Sequence, residues 1–91
     1  MKALKPSHRE HKRYLLIRGK ATREDIEEAI LKFVGILGYS KASPMFVKME
    51  RKVDGFVLSI NRQELDKVRA SFLLSGKDIR IVSVSGALGK L

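Results

Sequence analysis

The chain has 91 residues, 44% of them hydrophobic, and a net charge of +9. That is one small domain with material for a single core. It holds no cysteine, which excludes a disulfide scaffold, a thiolate nucleophile and a cysteine zinc site. No apolar run reaches the length of a membrane span and the N-terminus lacks a signal-peptide centre, so a cytoplasmic protein without membrane contact is expected. Charged residues at 32% fit a heat-adapted ionic surface.

The charge is lopsided. Lys2, Lys5, Arg9, Lys12, Arg13, Arg18, Lys20 and Arg23 stand against Glu10 alone, so the first 23 residues carry +7 of the total. Like charges gathered this way oppose compaction. They mark a surface for a polyanion.

Residues 1–11 show no periodicity and read as a flexible basic arm, with 12–91 as the folded domain. Lys12 to Arg18 is a short apolar run with charged ends and Gly19 after it, the pattern of a central strand. Leu15 and Ile17 face one side; Tyr14, Leu16 and Arg18 face the other. Thr22 is a helix N-cap, with Glu24 and Asp25 in the first turn where the dipole favours acids. Ile26, Ile30, Phe33 and Leu37 follow at helical spacing, widened by Ala29 and Ile36. Gly38 is the expected stop.

Met45 to Lys52 alternates as a strand, with Val47 and Met49 on one face and Phe46, Lys48 and Glu50 on the other. Asp54-Gly55 signals a hairpin. Phe56 to Ile60 is the next strand, turning Phe56, Leu58 and Ile60 inward. Asn61 and Glu64 have capping-box spacing for a second helix, whose stripe is Leu65, Val68 and Phe72 and whose stop is Gly76. Asp78 to Ser85 is the last strand. Its register is open, because Ile81 and Val82 are both apolar.

The order strand, helix, strand, strand, helix, strand predicts an α+β sandwich. Two split units with right-handed crossovers give a ferredoxin-like or RRM-like fold, a four-stranded antiparallel sheet with both helices on one face. The other face is left open and is expected to show Tyr14, Leu16, Phe46, Lys48, Val57 and Ser59.

This topology includes acylphosphatases, but the loop Gly19-Lys20-Ala21-Thr22 lacks the glycine-rich backbone cradle that holds phosphate there. His8 and His11 flank Glu10 in a cationic segment beside Pro6, a poor place for a metal. Glu27 and Glu28 are adjacent and point apart on a helix. Gly35-Ile36-Leu37-Gly38 has the Gly-x-x-Gly spelling of KH domains, yet it leads from a helix to a strand. RRM base reading needs aromatics on both central strands. Tyr14 is available, while Phe56 points inward. No catalytic residue, metal ligand or protein-bound cofactor is expected.

Phosphate neutralisation by the basic end remains, a mode that carries little sequence information. The candidate RNA-binding residues are Arg9, Lys12, Arg13, Tyr14, Arg18 and Lys20. Leu74 falls opposite the stripe of the second helix, Leu31 lies off the stripe of the first, and Val34 lies at its margin. These three are the candidate protein-partner residues. An alternative reading is a ferredoxin-like interaction or small-molecule-binding module with no RNA role.

The segment Lys5-Pro6-Ser7-His8-Arg9-Glu10-His11-Lys12-Arg13-Tyr14-Leu15-Leu16 resembles the opening of the archaeal ribonuclease P protein component 2 family. Residues 61–74, Asn-Arg-Gln-Glu-Leu-Asp-Lys-Val-Arg-Ala-Ser-Phe-Leu-Leu, resemble its second helix. Val82-Ser83-Val84-Ser85-Gly86 resembles its last strand. The family commonly has threonine after that Ser-Gly, where this chain has Ala87, and longer members continue with more basic residues. The resemblance implies an RRM-like fold without stacking motifs. It also implies an accessory subunit of an RNA enzyme that removes 5′ leaders from precursor tRNA. Catalysis then belongs to the ribonuclease P RNA and its Mg²⁺, precursor tRNA is met indirectly, and the protein partner is component 3. A homodimer and a heterotetramer both stay open.

Overall fold

A computed structural model describes residues 12–49 and 54–91. The elements are β1 (Lys12–Arg18), α1 (Arg23–Ala42), β2 (Met45–Val47), β3 (Phe56–Asn61), α2 (Leu65–Leu74) and β4 (Arg80–Ser85), with 3₁₀ turns at Arg62–Glu64 and Leu88–Lys90. The four strands form one antiparallel sheet in the order β2-β3-β1-β4. This is the α+β βαββαβ sandwich expected from the pattern.

The alternation of β1 is realised in its burial. Leu15 and Ile17 are buried, and Leu58 and Ile60 of β3 join them under the helices. Ile26, Ala29, Ile30 and Ala42 from α1 and Val68 and Phe72 from α2 complete the core. Each fully buried leucine or isoleucine contributes about 2 kcal/mol.

Thr22 caps α1 in a full capping box. Its hydroxyl accepts from the Asp25 backbone N–H at 3.2 Å, and the Asp25 carboxylate accepts from the Thr22 N–H at 3.0 Å. Arg23, at the first helical position, lays its guanidinium over Phe46 and Phe56, 5.4 and 5.6 Å from the ring centroids. The two rings meet edge to face at 5.7 Å. The entry to α1 is thereby fixed to the β2–β3 edge of the sheet.

Four expectations are corrected. Gly38 does not end α1. The helix breaks at Gly35 (φ 74°, ψ 178°), resumes, and ends at Ala42 before a left-handed Ser43. Gly38 is instead a packing glycine, since a Cβ there would come within 2.5 Å of the Val34 Cβ. The break disrupts the anticipated stripe. Val34 packs against the core, Phe33 lies in the groove between the helices, and Ile36 and Leu37 are about four-fifths exposed (80% and 79%).

The second correction concerns β2. It spans only Met45–Val47, and its register with β3 pairs Phe46 with Leu58. Phe46 therefore faces the core, while Met45 and Val47 take the open face. Lys48 and Met49 lie beyond the strand, and Glu50 lies outside the described residues. Third, Asn61 makes no capping hydrogen bond to α2. Its side-chain amide donates to the Lys41 carbonyl at the end of α1, and a 3₁₀ turn intervenes before Leu65. Fourth, the last strand begins at Arg80 rather than Asp78, because Asp78 is engaged by the Gly19–Ala21 turn.

Candidate nucleic-acid interface

β1 is central and carries the candidate residues, but it separates them. Lys12, Tyr14, Leu16 and Arg18 alternate onto the open face, and Arg13 takes the parity of Leu15. A strand of this length sets Lys12 and Arg18 about 20 Å apart. Lys12 and Arg13 thus mark one end of the sheet, and Arg18 and Lys20 the other. Arg9 and the rest of the basic arm lie outside the described residues.

At the first end, Arg13 is half-buried. Its Nη1 donates to the Lys12 carbonyl at 2.8 Å, and it lies against Gly86, where a Cβ would meet Nη1 at 3.3 Å. The small residue after β4 leaves room for the guanidinium. Lys12 pairs in register with Asn61.

At the second end, Arg18 is exposed and its Nε donates to the Asp54 carbonyl at 3.0 Å. Gly55 (φ 121°) lets the chain pass close, since a Cβ there would sit 2.2 Å from the Ile17 carbonyl oxygen and 3.1 Å from the Arg18 Cγ. Lys20 is held by its backbone, whose N–H donates to the Asp78 carboxylate at 3.1 Å. Its exposed side chain leaves from a fixed turn.

Register adds a cation that sequence alone did not place. Arg18 of β1 is the direct partner of Arg80 of β4. Arg80 reaches Asp78 at 3.5 Å, and both side chains are largely exposed. Three cations, Arg18, Lys20 and Arg80, therefore gather around one end of the β1–β4 pair. The signal in the sequence was a lone arginine at a strand start, and only the register gives it a neighbour.

Between the two ends lie two cross-sheet rows. One runs Met45, Ser59, Tyr14, Ser85 and the other Val47, Val57, Leu16, Ser83. Tyr14 sits between two serines, and it is the only aromatic on these rows. Val57 and Ser59, expected to show on the open face, are instead buried, at 3% and 8% exposed. This surface is apolar with hydroxyls, and its charge stands at the ends.

The candidate partner residues fall on the helices. Leu74 is 72% exposed and Leu31 42%, while Val34 turns toward the core. A groove between the helices brings Leu74 beside Phe33. Phe33, Ile36, Leu37 and Leu73 are further exposed apolar residues that the helical pattern did not assign to a surface.

Among the described residues, no group of three histidines, cysteines or acids is placed to hold a metal ion, and no helix is long and apolar enough to cross a membrane. His8 and His11 lie outside them. Two acids of α1 are held by lysines. Lys77 donates to Asp25 at 2.8 Å, and with the Thr22 backbone bond it holds that carboxyl below its ordinary value. Glu28 is likewise lowered by Lys32, 3.0 Å away. Tyr39 is raised by burial, with Glu27 beside its hydroxyl.

No family model matches the chain. Among curated proteins it is similar to a ribonuclease P protein component 2 from Thermococcus gammatolerans, at 31% identity across 99% of this chain and 87% of that one. It is also similar to proteins of the same name from Methanococcus maripaludis strains C7 and S2. Each is 28% identical across 97% of this chain and 77% of its own length. With identity at that level sustained along nearly its whole length, the chain belongs to the ribonuclease P protein component 2 family.

Proposed function

We propose that this chain is a non-catalytic subunit that binds the RNA of ribonuclease P and stabilises it for removal of 5′ leaders from precursor tRNA. The observation that carries the reading is the gathering of Arg18, Lys20 and Arg80 at one end of the sheet. Like charges on directly opposed strand residues destabilise a sheet. An RNA phosphate between them removes that cost and releases counterions. Lys12 and Arg13 supply a second contact at the far end, and Arg9 of the arm extends it. Tyr14 lies between them with a single ring, so the reading is of backbone and shape rather than of base sequence.

Folding a large RNA crowds phosphates together. A rigid protein with cations at two separated points offsets that repulsion and lowers the demand for Mg²⁺. Mg²⁺ and the cleavage step belong to the RNA, and the protein holds no cofactor of its own. The apolar helix flank of Leu31, Phe33 and Leu74 supports pairing with a second protein, for which component 3 is the proposed occupant.

The test is reconstitution. Precursor-tRNA cleavage by the RNA and component 3 is measured at limiting Mg²⁺, with and without this chain. The reading expects a clear gain in rate that fades as Mg²⁺ rises. Identical rates at limiting Mg²⁺ contradict it.

A further inference from the structure

β4 is an outer strand of the sheet, and it is six residues long against three for β2 at the other edge. Along one side its backbone pairs with β1. Among the described residues no strand pairs with its other side. Proteins rarely leave such an edge bare, and they shorten it, charge it or cover it. β2 is short. β4 has one charge, Arg80, and then reads Ile-Val-Ser-Val-Ser.

A groove of about 510 Å³ follows this edge, between β4 and the outer flank of α2, with Arg69, Phe72 and Leu73 on the helix side. Its floor includes Phe72, Ile81 and Val84, which pack on the core. Val82 is placed there by a β-bulge. Leu16 pairs with Ser83 but Ile17 pairs with Ile81, so Val82 has no partner on β1 and is 50% exposed. Bulges re-aim side chains in this way. Leu73 forms the opposite lip at 84% exposed. The charges on the groove are Arg69 and Arg80. The neighbouring acids are Asp78, 3.5 Å from Arg80, and Asp66, one turn before Arg69 on α2.

We infer that the β4 edge receives an extended peptide segment of a partner protein, added as a fifth strand, with apolar side chains along Val82 and Leu73 and carboxylates at Arg69 and Arg80. Strand addition draws affinity from backbone pairing and selectivity from alternate side chains. RNA fits less well. It has no alternating N–H and C=O to match, and the one aromatic in the groove, Phe72, is 4% exposed and offers no stacking face. A second copy of this chain would bring four arginines to one interface. The chain's own residues 1–11 have the wrong sign, with Lys2, Lys5 and Arg9 against Glu10. The inference does not rest on the RNA-binding reading, although both use Arg80.

The experiment pans a random displayed peptide library against the full chain and follows an enriched peptide by NMR. The expected sequences alternate apolar residues and carry acids at their ends. Their binding slows hydrogen exchange at alternate β4 amides, and the paired change Arg69→Glu with Arg80→Glu weakens it by about tenfold or more. Both arginines are exposed, so the fold is retained, and the Arg→Lys pair keeps most of the affinity. N-methylation of the peptide at alternate residues abolishes binding. Failure to enrich any peptide, protection elsewhere than β4, or full binding by the N-methylated peptide overturns the inference. So does protection of β4 beyond its Arg80 end by a single-stranded oligonucleotide, or protection of β4 by self-association of the free chain.

Discussion

Arg18 and Arg80 are direct partners across the β1–β4 ladder. Each has a partial outlet, Arg18 to the Asp54 carbonyl at 3.0 Å and Arg80 to the Asp78 carboxylate at 3.5 Å. Both outlets are exposed and leave two positive charges side by side. The free protein therefore carries a local electrostatic cost that an anion relieves. Arg80→Ser is expected to stabilise the free chain by about 0.5 kcal/mol and at the same time to weaken RNA binding. Thermal unfolding and filter binding on one variant read the two opposite signs. Loss of stability together with loss of binding would mean a structural role for Arg80.

Gly35 sits at φ 74°, ψ 178°, a region open to glycine and strained for other residues. A Cβ there meets nothing within 4 Å, so the cost of Gly35→Ala is in the backbone alone. A loss of about 1–3 kcal/mol is expected in urea unfolding. Gly89→Ala, with open space and no positive φ, serves as the near-neutral comparison.

Asp25 joins the start of α1 to the α2–β4 connection through Lys77. Its carboxyl is lowered from 3.8, first by the Lys77 hydrogen bond and then by the Thr22 backbone. A lowered carboxyl gives stability that is present above the unfolded value and lost as pH falls through the folded one. Glu28, lowered by Lys32, acts in the same window. Stability should therefore be complete above about pH 5 and decline as pH falls through the carboxylate range. Asp25→Asn should flatten that acid limb in a series of melts at graded pH, and an unchanged limb would show that other groups set it.

Leu74 and Phe33 are exposed at 72% and 45%. Changing either to aspartate should move stability by no more than about 0.5 kcal/mol. Binding of component 3, followed by gel filtration of the mixed proteins, should be lost. Ile30→Ala is the contrast: it is fully buried and should cost about 2–5 kcal/mol whatever the partner does.

Local chemistry made much of the fold legible. The alternation of β1, the Thr22 cap and the α2 stripe each depend on near neighbours in sequence, and each matches the structure. What was not legible depends on distant partners. Gly38 is the expected helix stop, but the break falls at Gly35 and Val34 packs against Gly38. A three-residue β2 has too little pattern to fix its parity, and a shift of one residue turned Phe46 inward. Ile81 and Val82 are both apolar because a bulge gives one to the core and the other to the edge. The site shows the same division. Arg18 was visible as a charge on β1, whereas Arg80 became its neighbour only through the β1–β4 register.

The most direct measurement is the salt dependence of binding to ribonuclease P RNA, for the unaltered chain and for a variant with Arg18, Lys20 and Arg80 all changed to serine. If these three cations meet phosphates, log affinity of the unaltered chain falls steeply with log salt, and the variant's slope is shallower by about 2–3. An equal slope with equal affinity would show that the RNA lies elsewhere, and the account would be wrong.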